Sequence, residues 1–122
     1  MRILSEKIMS TEQVESEADY VVCKVNECGD KRYFNAEDQL HRENGPAVEY
    51  ANGDKFWYIN GKCHREDGPA LEYANAVKYW YLNDKLHRED GPTLEWSDGS
   101  KSWHLNDIEV TEETVRKLGK MK

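Results

Sequence analysis

The sequence predicts a mainly β fold: an elongated, twisted antiparallel β-meander built of repeated 23-residue hairpins, with a short C-terminal helix. Three observations predict it. First, His41-Arg42-Glu43-Asn44-Gly45-Pro46 recurs as His64-Arg65-Glu66-Asp67-Gly68-Pro69 and again as His87-Arg88-Glu89-Asp90-Gly91-Pro92, 23 residues on each time without a gap. Second, turn dipeptides such as Asn52-Gly53 divide apolar-aromatic runs, which is a strong local hairpin signal. Third, the 122 residues are 34% charged with a mean hydropathy of −0.96, yet 11% are aromatic. High charge alone suggests disorder, but disordered chains are poor in aromatics. A thin, aromatic-rich sheet with much exposed surface satisfies all three.

The length fits a single domain, residues 1–122. Residues 1–28 form an N-terminal segment with an opening strand. Ile3, Leu4, Ile8 and Val14 fit one face of a weak helix, and a frayed end fits them equally well. Tyr20–Val25 reads as the opening strand. A degenerate repeat follows at 29–44, where Gly29-Asp30-Lys31-Arg32-Tyr33-Phe34-Asn35 echoes Gly53-Asp54-Lys55-Phe56-Trp57-Tyr58-Ile59.

Three full repeats occupy 45–67, 68–90 and 91–110. Strands are predicted at 46–51 and 54–60, at 69–74 and 77–83, and at 92–97 and 100–106. Gly-Pro opens each outgoing strand, because glycine tolerates unusual φ and proline sits best at a strand's first residue. Asn60-Gly61, Asn83-Asp84 and Asn106-Asp107 mark the other turn. A two-residue type I′ turn at Asn52-Gly53 pairs Tyr50 with Lys55 and Val48 with Trp57. Alternation then places Val48, Tyr50, Trp57 and Ile59 on a core face, with Leu71, Tyr73, Trp80, Leu82, Leu94, Trp96, Trp103 and Leu105 as their copies. The opposite face carries Ala47, Glu49, Phe56 and Tyr58, then Ala70, Glu72, Tyr79 and Tyr81, then Thr93, Glu95, Ser102 and His104.

One sheet needs a cover: the chain ends, a curled sheet or a second copy as a homodimer. The C-terminal segment 111–122 supplies a helix over 111–119. Thr111 is its N-cap, and Val110 can staple against Val115. Arg116, Lys117 and Lys120 suit the C-terminal end of the helix dipole.

The net charge is −7, and residues 45–110 carry seven Lys+Arg against twelve Asp+Glu. That balance opposes direct binding to nucleic acid or to an anionic membrane. No apolar run approaches the ~18 residues of a membrane span, and the start lacks the apolar core of a secretory signal. Cys23, Cys28 and Cys63 form no C-x-x-C pair and read as reduced thiols of a cytoplasmic protein, with a Cys23–Cys28 redox pair as the alternative. Cys63 fills the slot of Leu40 and Leu86 and reads as a small buried hydrophobe.

His41, His64 and His87 recur, but equivalent positions in successive hairpins lie ~9.6 Å apart. They cannot converge on one metal ion. Each His-Arg-Glu-Asp stretch is expected to hydrogen-bond its own turn and the neighbouring loop, with Arg65 pairing Glu66 or Asp67. Glu49, Glu72 and Glu95 share the ~9.6 Å spacing, beyond the gap of either glycosidase class. They read as a solvating row, balanced by Lys55, Lys78 and Lys101, that discourages sheet stacking. No catalytic triad, P-loop or dinucleotide fingerprint is present. The expectation is therefore no enzyme, no metal and no cofactor.

The repeats resemble the MORN-variant repeat of bacterial and bacteriophage proteins. The resemblance rests on Trp57-Tyr58-Ile59-Asn60-Gly61-Lys62 with His64-Arg65-Glu66-Asp67-Gly68-Pro69-Ala70 and their copies, and covers about 29–110. It implies a twisted hairpin array and an interaction module; some members resemble antitoxins or small phage accessory proteins. Ala76 departs from the pattern, standing where the neighbouring units have a turn glycine, so another turn type is expected there.

Together these readings point to a non-enzymatic protein-binding module. The sharpest version is a small phage or mobile-element protein that inhibits a host factor, of anti-defence or anti-CRISPR type. Its acidic array would compete for the channel of a basic nucleic-acid-binding nuclease. Exposed aromatics suit protein interfaces, so the candidate partner-binding residues are Glu49, Phe56, Tyr58, Glu72, Tyr79, Tyr81, Glu95 and His104. The same rings could instead pack under the N-terminal segment. The alternatives are a small-ligand binder, such as a nucleotide sponge or sugar lectin, and an antitoxin or structural repeat array.

Overall fold

The computed structural model describes residues 8–14 and 21–120. It is mainly β, with antiparallel strand pairing and one C-terminal helix. The chain divides into two compact units, Met1–Lys62 and Cys63–Lys122. The expectations for Ile3, Leu4 and Tyr20 fall outside the described residues.

The first unit holds β1 (Ile8–Val14), β2 (Val21–Asn26), β3 (Lys31–Phe34), β4 (Val48–Glu49), β5 (Lys55–Phe56) and β6 (Tyr58–Ile59). Strands β1 to β5 pair in chain order. The weak helix expected through Ile8 and Val14 is replaced by β1, which lies antiparallel on β2 with Thr11 opposite Lys24 and Val14 opposite Val21. Its helical periodicity was weak, and the free edge of β2 offers a whole ladder of backbone bonds instead. Val21, Cys23 and Tyr33 form the buried core of this unit, and Val25 packs against them.

Strand β7 (Lys62–Cys63) straddles the division. The second unit continues with β8 (Leu71–Glu72), β9 (Lys78–Tyr79), β10 (Tyr81–Leu82), β11 (Lys85–Leu86), β12 (Leu94–Glu95), β13 (Lys101–Leu105), β14 (Ile108–Val110) and α1 (Glu112–Lys120). Its main sheet runs β8-β9-β12-β13-β14, while β10 and β11 form a separate hairpin. The predicted strand 77–83 thus breaks at Trp80. The Trp80 N–H goes to Thr93 C=O at 2.8 Å, and its own C=O accepts the His87 N–H at 3.2 Å. The first two repeats are therefore two short hairpins joined at Trp57 and at Trp80, whereas in the third β13 runs unbroken through Trp103.

The register differs from the predicted one by a single residue. Val48 pairs with Phe56 and Glu49 with Lys55. Leu71 pairs with Tyr79, and Leu94 with Ser102. The cause is the turn. Gly53 N–H bonds Tyr50 C=O, Tyr50 N–H bonds Asp54 C=O, and of the loop residues only Gly53 has positive φ, at 103°. That is a three-residue loop with a bulge glycine, not a two-residue type I′ turn. The type I′ signature lies at the other end of the repeat: Asn60 and Gly61, Asn83 and Asp84, and Asn106 and Asp107 all have positive φ.

A one-residue slip moves side chains to the opposite face. Phe56 and Tyr79 therefore join Val48 and Leu71, whereas the prediction set them on the glutamate face. Tyr50 meets Phe56 edge-on at 5.5 Å, and Tyr73 meets Tyr79 at 5.8 Å. A second correction concerns Ala47, Ala70 and Thr93, expected toward solvent. All three are fully buried, and their backbone is bonded into the sheet as well: Ala47 N–H donates to Phe56 C=O and Tyr33 N–H to Ala47 C=O, each at 2.8 Å. Ala76 keeps the turn of its neighbours, contrary to expectation, and takes the left-handed conformation itself at φ 79°.

The helix matches its expectation. The Thr111 hydroxyl accepts the Thr114 N–H at 3.1 Å, the N-cap bond. Val115 is buried, and Arg116–Glu112 and Lys117–Glu113 pair one turn apart.

Candidate functional site

The His-Arg-Glu-Asp-Gly-Pro loops are the most elaborate polar structure in the chain, and the same bonds recur in each. The imidazole Nδ1 of His41 accepts the Asn60 N–H at 2.9 Å; His64 accepts from Asn83 and His87 from Asn106, both at 3.0 Å. The ring proton therefore sits on Nε2, which faces Glu66 at 3.2 Å in His64 and Glu89 at 3.1 Å in His87. These histidines fasten the type I′ turns. Among the described residues, no group of three or more His, Cys, Asp or Glu converges as a metal site needs.

Each arginine turns back on its own loop. Arg65 Nη1 donates to Pro69 C=O at 3.0 Å and to Glu72 at 3.1 Å, and its Nε donates to Asp67 at 3.2 Å. Arg42 reaches Pro46 C=O and Glu49, and Arg88 reaches Pro92 C=O, Asp90 and Glu95. The loops bond internally as the sequence suggested.

This changes the meaning of the glutamate row. Glu49, Glu72 and Glu95 are only 31%, 34% and 31% exposed, each against its arginine. Lysines also stand opposite them in the ladder: Lys31 and Lys55 flank Glu49, Lys78 is opposite both Glu72 and Glu95, and Lys101 is opposite Glu95. Their charge is matched within the sheet. Three carboxylates of the loops face water, Glu66 at 82%, Asp67 at 89% and Asp90 at 85% exposed, as do Asp38 at 79% and Glu113 at 78% elsewhere. The sequence places Glu66 and Asp67 as ion-pair partners of Arg65 and does not single them out as a binding surface. The available signal was their position beside Gly-Pro, at the tip of a loop, where side chains point outward.

The remaining candidates are half-buried. Tyr58 sits at the end of the first unit with its C=O bonded to the Arg42 N–H. Burial raises the Tyr81 pKa above its ordinary value. His104 Nδ1 lies 2.7 Å from the Thr93 hydroxyl, which also donates to Ser102 C=O. Burial pushes the Cys63 thiol up to about 12 and the Tyr33 phenol to about 12. Cys23 is buried, and Cys28 is exposed in the turn after β2.

In the second unit, the loops of 64–69 and 87–90 line one open cleft of about 900 Å³, together with Trp80, Leu82, Asn83 and Gly119. Two copies of the acidic loop thus border a shared concavity. No described helix is long and apolar enough to cross a membrane. Comparison with protein-family models, curated proteins and solved structures finds no match.

Proposed function

We propose that this chain is a non-enzymatic protein-binding module that docks a basic surface of another protein through its His-Arg-Glu-Asp loops. The observation that carries this reading is the contrast between two sets of carboxylates. Glu49, Glu72 and Glu95 are 31–34% exposed and held between arginine and lysine within the sheet, while Glu66, Asp67 and Asp90 stand 82–89% exposed, although His64, Arg65 and Arg88 touch them from one side. Exposed charge of one sign steers a partner of opposite sign and fixes specificity. The resemblance to MORN-variant repeats supports an interaction module. In its sharper form, the protein is a small phage or mobile-element inhibitor whose carboxylates take the place of phosphates in a host nuclease channel.

The test is capture of a binding protein, followed by titration of the purified pair at low and high salt. The expected partner is basic, and its affinity falls with salt and with Glu66→Lys, Asp67→Lys and Asp90→Lys together. The triple reversal Glu49→Lys, Glu72→Lys and Glu95→Lys unfolds the loops rather than altering the interface. A partner that binds the loop variant as tightly as the parent, at any salt, overturns the reading. The cleft favours a second reading, a small-ligand binder. That reading expects a thermal shift with a nucleotide or sugar in the absence of any protein.

A further inference from the structure

One contact joins successive hairpins in the second unit. Asp84 N–H donates to Cys63 C=O at 2.8 Å, and its Oδ1 accepts the Cys63 N–H at 2.7 Å. Asp107 does the same to Leu86, at 2.8 and 2.7 Å. In the first unit, Gly61 N–H reaches Leu40 C=O at 2.8 Å. The residue ahead of each His-Arg pair therefore receives the Asn-Asp or Asn-Gly turn of the next repeat.

Glu109 holds that repeat position, 23 residues after Leu86, and the chain then enters α1 instead of another repeat. In β14 it lies opposite His104, with Leu105 opposite Ile108 and Trp103 opposite Val110. A two-residue turn makes Leu105 and Ile108 the first mutually bonded pair, and bonded and non-bonded pairs alternate. The N–H and C=O of Glu109 therefore point away from β13. Among the described residues, none takes them up. The side chains change as well. Cys63 is buried and Leu86 half-buried, but Glu109 is exposed. Ile108 is 67% exposed, where the earlier repeats carry Lys62 and Lys85.

We propose that the β14 edge at Glu109 is a docking site for an Asn-Asp or Asn-Gly hairpin turn presented by another protein. Glu109 grips the incoming turn as Leu86 grips Asp107, through one backbone donor and one backbone acceptor. Ile108 adds apolar contact beside the turn. The occupant is a repeat-type hairpin whose own turn is unengaged. A second copy of this chain does not supply one, because its turns at Asn60, Asn83 and Asn106 already sit on Leu40, Cys63 and Leu86. The inference is independent of the acidic loops.

The probe is a cyclised peptide copying residues 78–87, with its Asn-Asp turn, titrated into the full chain and followed by amide NMR. The Glu109 amide is expected to shift and to gain exchange protection. Replacing the peptide's copy of Asp84 with Ala weakens binding ~tenfold, the loss of one charge-assisted bond. Glu109→Pro abolishes binding by removing the donor, whereas Glu109→Ala, which keeps the backbone groups, retains it. The proposal is overturned by an unmoved Glu109 amide at the highest peptide concentration, or by equal affinity of the Asp84-deleted peptide. Dimerisation of the chain through β14 in sedimentation overturns it in favour of a second copy.

Discussion

The guanidinium of Arg88 lies 4.0 Å from the centre of the Trp80 ring and donates to Pro92 C=O at 3.0 Å. Arg42 lies 3.9 Å over Tyr33 in the same manner. A flat cation wedged between a ring and its own loop leaves no room for a side chain at the loop glycine. A Cβ on Gly91 would meet Arg88 Cζ at 2.6 Å; on Gly68 it would meet Arg65 Cζ at 2.9 Å, and on Gly45 Arg42 Nη1 at 3.2 Å. The glycine of each Gly-Pro thus gives its arginine room, so that a Cβ there displaces the guanidinium from its bonds, and its φ is not left-handed.

Gly91→Ala is therefore expected to destabilise the second unit by ~1–3 kcal/mol, the usual cost of overpacking. Gly45→Ala costs less. In urea denaturation, Arg88→Ala combined with Gly91→Ala costs less than the sum of the two single changes, because the clash is gone. Strict additivity contradicts the packing account.

Ala76 pays for its left-handed backbone at φ 79°, where Gly53 and Gly99 do not. Ala76→Gly is expected to raise stability by ~1 kcal/mol, since an L-residue loses ~1–2 kcal/mol in that region. Gly99→Ala, with nothing within 4 Å of the added Cβ, lowers it by a similar amount from backbone strain alone. Denaturation midpoints at unchanged slope read both effects.

The aspartates of the type I′ turns hold the preceding hairpin. Asp107→Ala removes the 2.7 Å bond to the Leu86 N–H and is expected to cost ~1–2 kcal/mol, leaving a backbone donor unsatisfied. Hydrogen exchange at the Leu86 amide should accelerate while exchange at Val21 and Cys23 stays unchanged. An unchanged Leu86 rate would remove the clamp from the account.

Stability should fall on the alkaline side. Cys63 and Tyr33 are held protonated by burial, each up to about 12 from 9 and 10. Above the unfolded value, the unfolded chain loses a proton that the folded chain keeps. Stability from these groups is therefore complete below about pH 9 and declines as pH rises toward 12. Cys63→Val should flatten the decline between about pH 9 and 10, measured as melting temperature against pH. On the acid side, Asp30 is held below its usual range by the Ala51 N–H and Asn26, so its contribution fades as pH falls below about 4.

The sequence carried the repeat, the β class, the capped helix and the internal bonding of the His-Arg-Glu-Asp loops, because each rests on chemistry between near neighbours. Thr111 with Thr114, and Arg65 with Asp67, are set within a few residues. Register was not legible in this way. Asn52-Gly53 and Asn60-Gly61 are the same dipeptide, and local preference admits a two-residue or a three-residue loop at either. The ladder beyond decides: Ala47 must bond both Phe56 and Tyr33, and only the longer loop at Asn52 allows it. Phe56 and Tyr79 change face for that reason, and the glutamate row, expected as a solvating row balanced by lysines, is also held by Arg42, Arg65 and Arg88 from seven residues away.

By itself, the sequence determined that one 23-residue unit is repeated with its turns, its charged loops and its aromatic strands, and that a basic helix closes it. These are local preferences written three times, so each copy corroborates the others. Only the tertiary structure decided which face each side chain occupies, which carboxylates remain exposed, and that Glu109, in the middle of β14, has backbone groups that no described residue takes up. Those outcomes depend on pairing between strands, where a shift of one residue reverses every face while leaving local propensities unchanged.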